Sequence, residues 1–244
     1  MITIIDYKAG NLTSVQLAFE HIGQQVLITD KPEDILKAKK VVFPGVGAAG
    51  AAMGNLRNLK LIEPIKKVIA DGVPFLGICI GIQLLCDFSE EDGGTPCLGV
   101  IPGKVKRFQP ADQMCKIPQM GWNAVRLTTE NTKVNKNKLA TDFTDYTESR
   151  KERLDSRLRG NDRPSAVSHQ LFEGIEDESE FYFVHSYYPA PERKEMIIGE
   201  TDYADVTFAS AIAYKNLAAV QFHPERSGRI GLKLLENFSR WDGK

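Results

Sequence analysis

Cys79 stands midway between Gly77 and Gly81 in the stretch Phe75-Leu76-Gly77-Ile78-Cys79-Ile80-Gly81-Ile82-Gln83. The apolar residues before it read as a buried strand and those after it as a helix. The cysteine therefore falls on a sharp strand-to-helix turn. A Gly-x-nucleophile-x-Gly turn of this kind lifts the central side chain above a sheet. Glycine serves at its flanks because strand and helix approach too closely there for a Cβ. A sulfur at a helix N-terminus also gains from the partial positive charge of the helix end. The competing reading is a core cysteine, since cysteine is among the most buried residue types.

A cysteine nucleophile needs a base, and the base needs a third group to hold it. The chain has four histidines. His21 falls on an expected helix surface, and His169 has no evident role. His185 ends an apolar strand and could be a core or a pocket residue. His223 follows Leu217-Ala218-Ala219-Val220-Gln221-Phe222 and precedes Pro224 and Glu225. Proline stops the strand, so His223 sits at a strand end. Glu225, two residues on, could turn back onto the imidazole. His-Pro-Glu alone is equally a plain turn; jointly with the Cys79 elbow it forms a coherent Cys-His-Glu set. Oxyanion donors would come from the amides of Gly45-Val46-Gly47 and of Ile80. The glycine stretch has neither the Lys-Ser/Thr of a P-loop nor G-x-G-x-x-G spacing. No acidic or histidine cluster suggests a metal, and no cofactor is implied.

These groups need a sheet to position them. Met1–Ile5, Val26–Thr29 and Val41–Phe43 read as strands, separated by helical spacing at Leu12, Val15, Phe19 and Ile22 and by a short helix within Asp30–Lys39, with Pro32 near its start. Another helix is expected over Leu61–Ala70. Strands alternating with helices predict a mostly parallel α/β sheet, with ligands outside the carboxyl ends of the strands. Pro44 to Gly47 and Cys79 both lie there. After Gly94, short strands joined by turns predict an antiparallel elaboration, closed by a helix carrying Leu232, Leu235 and Phe238.

With 244 residues, 42% apolar and 26% charged, the chain can build one large α/β domain. A net charge of -1 argues against nucleic acid as a partner. No apolar run is long enough to span a membrane. Four cysteines without CxxC or zinc spacing suit a reducing, cytoplasmic setting.

Taken together, Pro44-Gly45-Val46-Gly47, the Cys79 elbow through Gln83, and Gln221-Phe222-His223-Pro224-Glu225 resemble the class I (triad) glutamine amidotransferases, flavodoxin-like α/β enzymes. Asp6-Tyr7 with Gly10-Asn11-Leu12, Met120-Gly121-Trp122-Asn123 and Tyr182-Phe183-Val184-His185-Ser186-Tyr187-Tyr188 resemble, within them, the glutaminase subunits of imidazole glycerol phosphate synthases. The resemblance implies Cys79 as nucleophile, His223 as general base and acid, and Glu225 as orienting carboxylate. It implies a glutamine site along Gly45, Val46, Gly47, Ile80 and Gln83, with backbone contacts from Ser186 and Tyr187. It also implies a heterodimer with a (β/α)8-barrel cyclase, which uses the ammonia in histidine biosynthesis. Asn11, Trp122 and Arg226 match interface positions.

Lys8, Ala49 and Gln119 depart from the family pattern without removing a catalytic group. Residues 140–168 depart more. The family joins the flanking regions by a short link, so this segment is expected to be a surface insertion in a single domain spanning 1–244. Part of it, Arg153 to Asp162, resembles peptides encoded by repetitive DNA inserted in frame. A basic arm is the competing idea, but six basic and four acidic residues between Glu148 and Arg163 leave little net charge. Two other functions remain in view. One is a glutaminase serving another synthase, such as that of pyridoxal phosphate, whose Gly-Gly-Glu-Ser-Thr stretch is absent here. The other is a non-catalytic regulatory relative, which usually lacks one of the three groups retained here as Cys79, His223 and Glu225.

Overall fold

The computed structural model describes residues 1–112, 114–128 and 169–244. The expected insertion at 140–168 lies outside the described residues. Four parallel strands open the fold: β1 (Ile2–Ile5), β2 (Val26–Thr29), β3 (Val41–Phe43) and β4 (Phe75–Ile78). Between them run α1 (Leu12–His21), α2 (Pro32–Leu36), α3 (Ala49–Asn58) and α4 (Ile62–Ala70). These strands read as unbroken apolar runs because helices cover both sheet faces. Ile2, Ile4 and Val42 enter one core cluster; Ile5, Val41 and Phe43 enter the other.

A short helix, α5 (Ile80–Leu84), follows β4. The chain then makes β5 (Cys86–Ser89), β6 (Thr95–Pro96), β7 (Ile101–Arg107), β8 (Gln119–Leu127), β9 (Ser179–His185) and β10 (Tyr187–Pro191). It ends with β11 (Ile197–Tyr203), β12 (Val206–Tyr214), β13 (Leu217–Val220) and α6 (Gly228–Arg240). The large sheet has the order β2-β1-β3-β4-β13-β12-β11-β8-β9. Strand β13 pairs parallel with β4 and antiparallel with β12, so the antiparallel elaboration continues the parallel half. A second sheet, β10-β7-β5-β6, stands beside it.

The α/β class and the change to antiparallel pairing agree with the sequence reading. Three details differ. The small residues after Gly47 form helix α3, with Ala49, Ala52, Met53 and Leu56 buried on one face. The elaboration starts at Cys86, ahead of Gly94. The buried face of α6 runs through Leu234, Leu235 and Phe238, with Leu232 only partly buried. All four cysteines are free thiols. No helix among the described residues is long and apolar enough to cross a membrane.

Candidate active site

The turn after β4 is built as the glycine spacing requires. Cys79 has φ 55° and ψ -112°, a conformation that costs a non-glycine residue on the order of 1–3 kcal/mol. Two bonds over-determine it: Cys79 N donates to the Val220 carbonyl at 2.8 Å, and Ile82 N donates to the Cys79 carbonyl at 3.1 Å. A Cβ on Gly77 would lie 3.0 Å from Leu85 Cδ1 and 3.1 Å from Ala219 Cβ. One on Gly81 would overlap the Phe43 carbonyl oxygen. Strain held in place at a buried sulfur fits a site better than a core cysteine.

His223 reaches the same place from β13, the strand next to β4. Its Nδ1 lies 2.7 Å from Glu225 Oε1. The carboxylate can only accept, so Nδ1 carries the proton and Nε2 is left for the sulfur. Asn11 Nδ2 donates to the same carboxylate oxygen at 2.7 Å. The side chains of His223 and Glu225 are essentially sealed from solvent. Burial by itself lowers the His223 pKa; attraction to the Cys79 sulfur and then to Glu225 outweighs it and raises the pKa to about 10. The arrangement favours the protonated imidazolium facing the Cys79 sulfur.

The turn holding His223 is pinned on three sides. His223 N donates to the Tyr182 carbonyl at 2.9 Å. Tyr182 N donates to Ser227 Oγ at 3.0 Å, and Ser227 Oγ donates to the His223 carbonyl at 2.6 Å. Gly231 of α6 packs directly beneath: a Cβ there would overlap the Pro224 carbonyl oxygen and lie 2.7 Å from its carbon.

The family pattern described as "Glutamine amidotransferase class-I" matches residues 3–240. This chain belongs to the class I glutamine amidotransferases. Among its relatives, the imidazole glycerol phosphate synthase subunit HisH of Dehalococcoides mccartyi (strain CBDB1) is 42% identical over 238 residues, covering 98% of this chain and 96% of the relative. The HisH subunit of Methanocaldococcus jannaschii is 42% identical, covering 98% of each chain. Among solved structures, one described as a glutamine amidotransferase aligns with TM-score 0.61 and 16% identity, covering 98% of this chain and 100% of the other. PurLQS from Thermotoga maritima gives TM-score 0.63 and 16% identity, covering 98% and 96%. These two likenesses bear on the fold alone.

Within this amidotransferase the remaining expected site residues divide into groups. Gly45 lies against the buried Tyr7 hydroxyl, where any Cβ would overlap it, and beside Ile80. The Val46 amide does not stand free: it donates to the Ala9 carbonyl at 3.0 Å. Gly47 has φ 103°, a conformation that favours glycine. Gln83 Nε2 donates to the Tyr187 carbonyl at 2.9 Å, tying the elbow helix to β10 just after Ser186. Of the expected interface residues, Trp122 and Arg226 are exposed, whereas the Asn11 amide is engaged with Glu225.

Three contributors escaped the sequence reading. Ser227 and Gly231 carry no local signal of their own, while Tyr7 stands in the Asp6-Tyr7 motif without the place against Gly45 that the structure gives it. Gln221 sits inside the His223 motif, yet the motif alone gives it no role; its Nε2 lies 3.9 Å from Cys79 Sγ. His169 is also structural. Its Nδ1 accepts from Leu171 N at 3.1 Å, and its ring meets Trp241 edge-on at 5.1 Å.

His185 proves to be a core histidine beside the site. Nδ1 contacts the Tyr187 carbonyl at 2.8 Å, and the ring is packed by Phe108, Phe183 and Phe208. Burial lowers its pKa to about 4. The unfolded chain binds this proton near the ordinary pKa of 6.5 and the native chain does not. Its contribution to stability is therefore complete above pH 6.5 and is lost as pH falls through about 4. The expected loss over that window is about 3 kcal/mol. Denaturant unfolding of wild type and His185→Gln at a series of pH values checks this: the stability difference between them should shift by that amount, and parallel curves would refute it.

Proposed function

We propose that this chain is the glutaminase subunit of an imidazole glycerol phosphate synthase, working in the cytoplasm in histidine biosynthesis. Similarity to HisH subunits over nearly the whole length carries the reading. The chain acts as one amidotransferase domain over 1–244, with 140–168 as an insertion within it.

The chemistry follows from the site. The Cys79 thiolate attacks the side-chain amide carbon of glutamine, and the oxygen takes up negative charge. The His223 imidazolium gives its Nε2 proton to the departing nitrogen, and ammonia leaves. Neutral Nε2 then takes a proton from water, which attacks the thioester and releases glutamate and the thiolate. Glu225, held by Asn11, keeps Nδ1–H in place and stabilises the imidazolium. Gln83, Ser186 and Tyr187 flank the glutamine.

The ammonia passes to a (β/α)8-barrel cyclase subunit, which makes imidazole glycerol phosphate and an aminoimidazole carboxamide ribonucleotide. Met120 and Trp122, two residues apart on β8, are 66% and 54% exposed. Side chains two apart on a strand share a face, and an exposed apolar pair of this kind suits a docking surface that includes Arg226. Because Val46 N–H is committed to Ala9, docking must release it before it can join Ile80 N–H at the oxyanion. One oxyanion donor is worth roughly a hundredfold to a thousandfold in rate. Glutaminase turnover of the isolated chain should therefore rise on that order when the barrel and its ribonucleotide ligand are added. Full turnover without the barrel would overturn the coupling. Activation by a different synthase partner, and none by this barrel, would overturn the assignment.

A further inference from the structure

Two buried side-chain amides link the Tyr187 carbonyl to the nucleophile. Gln83 Nε2 donates to the Tyr187 carbonyl at 2.9 Å and to Gln221 Oε1 at 2.9 Å. Gln221 Nε2 then lies 3.9 Å from Cys79 Sγ. Gln221 is fully buried and Gln83 nearly so. The Gln221 backbone is fixed as well: its N donates to the Ser210 carbonyl at 2.8 Å, immediately after β13.

The direction of this relay is not free. A backbone carbonyl can only accept, so the end of Gln83 facing Tyr187 must be its NH2 group. That same NH2 faces Gln221, so the Gln221 oxygen must turn towards it. The NH2 of Gln221 is then left for the sulfur. One carbonyl thus fixes the polarity of both amides. A donor aimed at sulfur favours thiolate over thiol, and hydrogen bonds to a charged group are the stronger kind. The Gln221 contact approaches the sulfur separately from His223, whose ring is held by Glu225.

We propose that Gln221 is a positioning residue for the Cys79 thiolate, with Gln83 setting the orientation of its amide. This rests on the reading of Cys79 as the glutaminase nucleophile. It gives Gln83 a second role besides lining the glutamine site, and it makes the strand that flanks glutamine, through Tyr187, part of what aims the sulfur.

The test uses the chain assembled with its barrel, with Gln221→Met and Gln221→Glu. Methionine keeps the length and removes the donor. Ionised glutamate keeps the acceptor for Gln83 and sets a negative charge against the sulfur. The first readout is the pH dependence of Cys79 alkylation by iodoacetamide, followed on the Cys79 peptide by mass spectrometry so that the other three thiols do not contribute. The second is glutamine turnover, with kcat and KM separated. Both variants should shift the alkylation midpoint upward, by about one pH unit for methionine and further for glutamate. The kcat for glutamine should fall about tenfold with KM changed far less, while synthesis from added ammonium stays at the wild-type rate. A wild-type alkylation midpoint in either folded variant, or a loss confined to KM, overturns the proposal. If Cys79→Ala itself keeps glutaminase activity, the nucleophile assignment fails instead, which separates the two readings.

Discussion

Cys79→Ala is expected to lower glutamine-dependent synthesis by more than roughly a thousandfold in the complex with the barrel, while synthesis from added ammonium is unchanged. In the proposed mechanism the sulfur forms the thioester, and alanine leaves nothing to take its place. Alanine also keeps the small volume of the elbow, so the barrel should still dock and process ammonia supplied from solution. His223→Ala should behave alike. Glu225→Gln should be milder, because an amide oxygen can still accept from Nδ1 while offering the imidazolium no charge. Paired steady-state assays with glutamine and with ammonium decide the matter. Glutamine turnover near the wild-type rate in Cys79→Ala would remove the nucleophile, and equal loss with both nitrogen sources would point to misfolding.

Gly231→Ala is expected to damage the same reaction from a helix that contributes no reacting group. In an exposed helix interior, replacing glycine by alanine stabilises by about 1 kcal/mol. Here the sign should reverse. The added methyl group would overlap the Pro224 carbonyl oxygen and lie 2.8 Å from Ser227 Cβ. Neither neighbour can yield cheaply, since Pro224 is backbone of the turn and Ser227 carries the bonds to His223 and Tyr182. Overpacking of this kind costs typically about 1–3 kcal/mol. Relief must push Pro224 away from α6 and carry Glu225 and His223 with it. The expected result is a net loss of about 2 kcal/mol in denaturant unfolding, with a fall in glutamine turnover of roughly tenfold or more. Unchanged stability with unchanged turnover would show that the turn absorbs a methyl group freely.

The contrast between these two variants shows how much of the site could be read in advance. Cys79 and His223 were legible because close backbone approach forces glycine at fixed spacing around the one, and proline ends the strand beside the other. Gly231 was not, since what excludes its Cβ is the Pro224 carbonyl arriving from outside its helix. The same division holds for the fold. Strands buried on both faces announce themselves as apolar runs, as in Ile2–Ile5. Tyr187–Pro191 carries Pro189 and Pro191, which argue against a central strand; it is tolerated because β10 is the edge of its sheet. Helix α3 was hidden by Gly50 and Gly54, which depress helix propensity. Its signal was present nonetheless: Ala49, Ala52, Met53 and Leu56 recur at helical spacing. The Ala9–Val46 bond joins two loops, and no periodicity reports it.

The place of β13 in the sheet order has a consequence for how the protein is made. A ribosome delivers β1 to β4 and the Cys79 turn early, and the strands that form the antiparallel half follow. Until Leu217–Val220 emerges, β4 and β12 have no common neighbour, and the two halves of the sheet are unjoined. The Cys79 amide also lacks the Val220 carbonyl that holds the elbow. Four residues near the end of the chain therefore work as a keystone. Pairing so distant in sequence forms slowly, and His223 and Glu225 follow within five residues of it. On the proposed mechanism, an unfinished chain thus carries Cys79 in sequence but not yet set in its elbow beside His223, and it cannot squander glutamine before the fold is closed.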